Sequence, residues 1–447
     1  SHSTADSRLP VPAPGPDLLR RFMRIIADLH LHSKYSRATS REMDVENMAR
    51  WCKIKGIAIV GTGDFTHPVW FRELKAKLKP TDYGLYTYGG VHFMLTVEVS
   101  NIYPQGGRLR KIHNIIFAPS LEVVERINAV LGRFGSLMAD GRPTLTLPSD
   151  KLVEYIMEIS ADCMIVPAHA WTPWFSLFGS NSGFDALLEC FRDQSRHIAA
   201  VETGLSSDPA MNWRLSQLDS VMLLSNSDAH SPAKLGREAN VFETAEPDYH
   251  ELVRIIREKD TSKFLYTIEF FPEEGKYHYD GHRNCNTRLT PKETKAAGNR
   301  CHVCKRPVTV GVMHRVEDIA DREQGYVPSG AVPYRNLIPL EEIVAEAKGA
   351  QVGTGAVREE YFKLCARLGS EFSVLLDVPL EELTKHTTSR IVEGIRRVRE
   401  GQVQIKPGYD GVYGEIHIFA DGAPAKTLLE EVEEEKKIEQ PAQTTLF

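Results

Sequence analysis

The sequence predicts an α/β fold, a parallel sheet or barrel, over residues 23 to about 270. Two observations predict it. Short apolar strands alternate with amphipathic helical stretches, and residues of metal-ligand type recur at strand ends, where folds of this class collect their chemistry. At 447 residues, with 42% hydrophobic and 26% charged residues, the chain has room for two or three domains. No apolar run approaches the ~18 residues of a membrane span, so neither a membrane protein nor a membrane partner is expected. Residues 1–22 are Pro-rich and read as a flexible arm. The formal charge of −6 excludes a uniformly basic nucleic-acid binder and leaves local patches to be judged separately.

The first strand, 24–31, runs into Ala27-Asp28-Leu29-His30-Leu31-His32-Ser33. Side chains two apart share a strand face, so His30 and His32 point the same way with Asp28 in their row. Two parallel imidazoles can hold a divalent metal, and a carboxylate can ligate it or orient a ligand. Further strands are predicted at 57–62, 92–99, 112–118, 163–168, 198–202 and 221–226, with helices at 43–55, 120–134, 149–160, 184–193 and 248–258. Asp64, Glu98, His113, His169, Glu202, Asp228 and His230 all fall at the ends of these strands. Such a set exceeds the four ligands of one ion and implies two or three divalent metals. Several clustered metals suit phosphate ester hydrolysis.

Residues 271–325 change character. His282-x2-Cys285 and Cys301-x2-Cys304 supply two close ligand pairs, the spacing of one structural tetrahedral zinc site. His278 and His302 are left over and are expected at the surface. Nine basic residues, among them Arg283, Arg288, Arg300, Lys305 and Arg306, face two acidic ones between 276 and 315, a footprint suited to a phosphate backbone. Directly after His169, the residues Trp171, Trp174, Phe175 and Phe178 form an aromatic loop. Packing is the default for such residues, but stacking on an extruded base is an alternative, with Ser180, Asn181 and Ser182 as polar readers. A mostly helical region is expected over 326–420, ending in a turn-rich Pro407-Gly408-Tyr409-Asp410-Gly411 and a short strand at 414–419. Residues 421–447 are acidic and predict a disordered tail.

The ordered residues His30-x-His32, Glu98, His113, His169 and Asp228-x-His230 resemble the motifs of the PHP (polymerase and histidinol phosphatase) superfamily. That resemblance implies a distorted seven-stranded (βα) barrel carrying Zn, Mn or Mg ions, with the zinc segment inserted or appended. Gly63-Asp64-Phe65 stands where the family has Thr-Asp-His, which puts Asp64 forward as a ligand and His67 behind it. Longer blocks, Gly61–Pro68, Pro167–Phe178, Glu202–Pro209 and Ser225–His230, are similar to the endonuclease Q family. The likeness covers nearly everything from 24 to 419. It implies cleavage of DNA on the 5′ side of deaminated bases (uracil, hypoxanthine, xanthine) and abasic sites, leaving 3′-hydroxyl and 5′-phosphate ends. His30, His32, Asp228 and His230 would then be catalytic metal ligands, in a cytoplasmic, nucleoid-associated enzyme. The final Gln443-x-x-Leu446-Phe447 is similar to the pentapeptide that docks bacterial sliding clamps. A PHP-type phosphomonoesterase and a non-catalytic zinc-dependent DNA-binding adaptor are the competing readings. The first leaves the zinc segment unexplained, and the intact histidines speak against the second.

Overall fold

Ile25, Ile26 and Ala27 of the opening strand, Met23–Asp28, are all buried, so the strand is covered on both faces as a central strand of such a sheet must be. In the computed structural model, which describes residues 22–419, this strand pairs in parallel with Ile59–Gly61, and that strand in parallel with Val91–Gln105. Arg108–Ala118 follows antiparallel and is itself paired with Met164–Pro167. Ala200–Glu202 and Met222–Leu224 form a parallel pair. The ring closes where Ala170 donates to the Glu202 carbonyl and Leu31 bridges Ala229. These are the seven strands expected from the sequence, in a distorted barrel.

The alternation of strand and helix is incomplete. Val91–Gln105 and Arg108–Ala118 are joined by a two-glycine turn rather than a helix, so a long hairpin projects from the barrel. The helix expected at 184–193 shrinks to Leu187–Phe191 followed by a 3-10 turn. Helix Pro68–Lys77 was not expected: Pro68 sits at its first position, and the His67 side chain caps it by accepting from the Trp70 amide. Two further strands, Ala239–Thr244 and Phe264–Glu269, extend the sheet antiparallel from the opening strand.

Residues 280–319 form a small zinc-type unit: a hairpin of Asp280–His282 and Thr287–Leu289, then helices Pro291–Ala296 and Val312–Ile319. The turn 407–411 packs directly on it. Tyr279 bridges Tyr409, and the Arg283 amide donates to Asp410. The sequence placed that turn at the end of the helical region, whereas space places it against the zinc unit. Helices Leu340–Lys348, Gly355–Leu368 and Ser389–Arg399 make the helical region, and strand Tyr334–Asn336 joins the edge of the main sheet beside Phe264–Glu269. Buried Lys55, on the barrel's first helix, pairs with buried Glu371 at 2.9 Å, and the Tyr361 hydroxyl donates to the same carboxylate at 2.7 Å. This ion pair ties the helical region to the barrel. Among the described residues no helix is long and apolar enough to cross a membrane. Gln443, Leu446 and Phe447 lie outside the described residues, as do the Pro-rich arm and the acidic stretch.

Candidate active site

The ends of the barrel strands bring His30, His32, Glu98, His113, His169 and Asp228 onto one rim. Glu98, in Val91–Gln105, is fully buried at its centre. Its Oε2 lies 3.1 Å from His30 Nε2 and 2.9 Å from His32 Nε2. Its Oε1 lies 2.6 Å from His113 Nδ1 and 3.0 Å from His169 Nε2. One carboxylate therefore faces two histidine pairs. Asp228 Oδ1 joins the first pair, 3.1 Å from His32 Nε2. Two ligand groups result, His30–His32–Glu98–Asp228 and Glu98–His113–His169, each with its donor atoms within 4.8 Å of one another.

A divalent ion fits this donor set. His30 Nε2, His32 Nε2 and Asp228 Oδ1 are buried without hydrogen-bond partners, which a native core rarely tolerates. The remaining ring nitrogens are fixed from behind. His30 Nδ1 meets Glu202 at 2.9 Å, His32 Nδ1 meets Asp64 at 3.1 Å, and His169 Nδ1 meets the Thr172 hydroxyl at 3.1 Å. His230 Nδ1 donates to the Asp228 carbonyl at 2.8 Å, and its ring lies 4.6 Å from that of His32. Such partners hold the proton on Nδ1 and turn Nε2 towards an ion. His113, where Nδ1 itself meets Glu98, is pushed down to about 3 by burial and stays neutral. Burial alone would raise Glu98, but the hydrogen bond from His113 and the charges of His30 and Arg142 outweigh it and hold the carboxylate well below its usual range.

Three expectations change here. Asp64 accepts from the Ser33 amide at 2.6 Å and from the Ser33 and Ser36 hydroxyls, so it orients His32 instead of joining a ligand group. Glu202, open between ligand and orienter, stands behind His30 and also accepts from Asn226. His67 is committed to its helix cap and stacks on Tyr35 at 4.7 Å, away from the ligand groups. Asp28 shares the histidine row but accepts from the Ser227 and Gly236 amides, which anchors the loop that carries Asp228. Asp64, His169 and Asp228 all have left-handed backbones (φ 51°, 27° and 49°), the strain often stored at functional sites.

A cleft of about 870 Å³ opens from this rim. His113, His169, Asp228 and His230 line it, as do Lys276, Tyr277, Val312, Tyr413 and His278, which is buried and not at the surface. Arg142 also faces it, 3.5 Å from Glu98, and was not foreseen. Gly141 explains its position, because a Cβ there would collide with Asp64 and Ser36. Of the aromatic loop, Trp174 and Phe175 line the cleft, and Lys111 Nζ sits 5.0 Å and 5.3 Å from their rings. Trp171 and Phe178 do not: both are buried, stack on each other at 4.8 Å, and Trp171 donates to Asn212. They are packing residues. Ser180 and Asn181 are exposed but outside the cleft lining, and buried Ser182 donates to the Lys111 carbonyl.

In the zinc unit, His282, Cys285, Cys301 and Cys304 converge, with their ligand atoms within 4.8 Å. The Thr287 hydroxyl and the Cys304 and Val303 amides hold the Cys301 thiol down to about 5, while burial and the neighbouring thiols push Cys285 up to about 11. Arg283, Arg288, Arg300, Lys305 and Arg306 are exposed around it. Arg288 and Arg300 donate to the Pro407 and Lys305 carbonyls, and Lys305 to that of His302. Arg315, counted among the bases of the patch, instead grips Asp185 and the carbonyls of Phe178 and Phe184, docking the unit against the aromatic loop. On the helix Ser389–Arg399, Arg396 and Arg397 pair with Glu393.

The barrel and its rim of buried histidines and carboxylates define a hydrolase of the PHP superfamily. A PHP-associated family model matches residues 221–261, and the MJ0043 C-terminal domain model matches 339–402. The crystal structure of the lesion-specific endonuclease PfuEndoQ of Pyrococcus furiosus is 33% identical, with a TM-score of 0.80 over 89% of this chain and 96% of that one. A second structure, endonuclease Q with a 27-mer duplex bearing an abasic lesion at its active site, is 33% identical with a TM-score of 0.78, covering 89% of this chain and 98% of that one. Protein MJ0043 of Methanocaldococcus jannaschii is 31% identical over 274 residues, 59% of this chain but only 34% of its own length. The chain belongs to the endonuclease Q family.

Proposed function

We propose that this protein is a metal-dependent DNA-repair endonuclease that hydrolyses the phosphodiester 5′ to deaminated bases and abasic sites. Water adds to phosphorus and the bond to the upstream O3′ breaks, which leaves a 3′-hydroxyl and a 5′-phosphate. The observation that carries this reading is Glu98 facing two pairs of histidines, with orphaned ligand atoms beside it, next to a cleft lined by His113, His169, Asp228, Arg142, Trp174 and Phe175. His30, His32, Glu98 and Asp228 would hold one divalent ion, and Glu98, His113 and His169 a second, with His230 beside the first. Ions so held would lower the pKa of water and neutralise phosphate oxygens. Arg142 supplies a fixed cation for the same phosphate, and Lys111 one further along the strand. Trp174 and Phe175 offer stacking faces to an everted nucleotide. His282, Cys285, Cys301 and Cys304 would hold a structural zinc. The same reading divides the chain into a barrel at 23–270, a zinc segment at 271–325 and a helical region at 326–420.

The lesion spectrum and the cut site come from the family likeness, and the duplex with an abasic lesion at the active site of an endonuclease Q supports DNA as the partner. A bacterial sliding clamp as second partner rests on Gln443, Leu446 and Phe447. Deleting the five residues Gln443–Phe447 should leave cleavage of short duplexes unchanged and remove clamp binding measured by calorimetry. The function itself is tested with end-labelled duplexes carrying uracil, hypoxanthine, an abasic site or no lesion, each with divalent metal and with chelator. Lesion-dependent, chelator-sensitive cuts on the 5′ side are expected. Release of phosphate from a small monoester with no strand cleavage would replace this reading by the phosphomonoesterase.

A further inference from the structure

Strand Met222–Leu224 ends its ladder at Leu224, and the chain runs on through Ser227 and Asp228 into the metal rim. Outside a ladder, each buried main-chain group still needs a partner. The Ser227 amide donates to Asp28 at 3.0 Å, and the Asp228 amide to the His30 carbonyl at 2.8 Å. The two carbonyls are met by one side chain. Arg237 donates from Nε to the Ser227 carbonyl at 2.8 Å and from Nη2 to the Asp228 carbonyl at 3.3 Å. Arg237 is buried, and burying a guanidinium is costly, so its place in the core calls for a reason.

What this fork grips is a strained part of the rim. Asp228 has a φ of 49°, a left-handed backbone that residues with a Cβ keep where the surroundings hold it. From there its Oδ1 stands 3.1 Å from His32 Nε2 and 3.6 Å from His30 Nε2. The Asp228 carbonyl also accepts from His230 Nδ1 at 2.8 Å, so the arginine and that histidine share one acceptor. Arg237 is fixed at its root as well. The Gly236 amide donates to Asp28 at 2.8 Å. A Cβ on Gly236, whose φ is 74°, would meet Ile57 at 3.0 Å and Phe372 of the helical region at 3.1 Å.

We infer that Arg237 is a positioning residue whose guanidinium clamps the Ser227 and Asp228 carbonyls and so holds the Asp228 carboxylate on the first metal position. It acts through Asp228 and belongs to neither ligand group. A lysine there keeps the charge but is a point donor, and it cannot span two consecutive carbonyls as the planar fork does. The site therefore asks for the shape of the arginine and not just its charge. Glu98, His113 and His169 of the second ligand group stand on or after other strands, Val91–Gln105, Arg108–Ala118 and Met164–Pro167. Loss of the clamp should therefore reach one ion and spare the other. The inference rests on the proposed metal centre and adds a residue that shapes it.

The experiment titrates the chelator-stripped full-length protein with manganese(II) by calorimetry, for wild type, Arg237→Lys, Arg237→Met and Asp228→Ala, with thermal melting of each. Both Arg237 variants should weaken one ion by about 10–100-fold and leave the other unchanged, as loss of a group that orients a ligand does. Arg237→Lys, which keeps the buried charge and most of the stem, serves as the folded variant if methionine unfolds the loop. Lysine that binds both ions as wild type does would show that charge alone suffices and overturn the inference. Equal weakening of both ions, in step with a lower melting temperature, would show a general loosening of the fold and overturn it too. Asp228→Ala that binds both ions as tightly as wild type would instead overturn the reading of the metal centre itself.

Discussion

Glu98 and the groups behind its histidines divide the residues of the site into those that would touch a metal and those that aim them. Glu202 belongs to the second kind, holding His30 at 2.9 Å through Nδ1. Glu202→Gln should lower metal affinity by about 10–100-fold with little change in folding, read by metal titration of the apo-protein. Unchanged affinity would move the control of His30 elsewhere. The aromatic loop divides in the same way. Trp171→Ala removes a buried ring and its bond to Asn212, so it should cost about 3–5 kcal/mol in denaturant unfolding. Trp174, which is 51% exposed, should leave stability nearly intact when changed to Ala and weaken cleavage at the lesion. Residues of ligand type were legible in the sequence because metal chemistry admits few side chains and strand ends line them up. Arg142 and the seats of Asp64 and His278 were not. Arg142 stands beside Glu98 where Gly141 packs on Asp64, and the His278 carbonyl lies against Gly311, more than thirty residues further along the chain.

Among the elements, the zinc unit stands partly on its own. Its four ligands come from one hairpin and the following knuckle, neither of which joins the barrel's core cluster; only the helix Val312–Ile319 does, through Val312, Met313 and Val316. Cys301→Ser combined with Cys304→Ser should lose the zinc, loosen residues 276–325 in hydrogen exchange and weaken DNA binding, with the barrel still folded. Full DNA affinity in a zinc-free variant would separate the unit from the DNA site. Most barrel strands were legible because each is a short buried run bounded by turn residues. Helix Pro68–Lys77 is hidden because its start signal is a proline capped by a histidine, and that histidine stands behind Asp64 as a lesser ligand candidate. The antiparallel strands beyond Asp228 carry the same apolar pattern as parallel ones, and direction is a property of pairing that a single strand does not encode.

At the scale of the whole molecule, fully buried Glu238 and Glu269 lie behind the barrel rim. Burial, and then each other's or neighbouring carboxylate charge, pushes both well above the usual range. An acid with a raised folded pKa stabilises the fold below its unfolded value of about 4.3 and loses that contribution as pH rises towards the folded value. Glu238→Gln lacks this linkage. Its melting temperature should therefore gain on wild type as pH climbs from about 5 to about 8. A constant difference across that range would mean that Glu238 titrates normally. The claim on which the whole account turns is that Glu98 joins two metal positions into one cleaving centre. It is tested most directly by Glu98→Gln on a 5′-labelled duplex with a single abasic site, alongside metal content and a binding assay. The account predicts one wild-type product ending just 5′ of the lesion, and a folded, DNA-binding variant that has lost metal and yields no product. Cleavage by Glu98→Gln at a rate near that of wild type would contradict it.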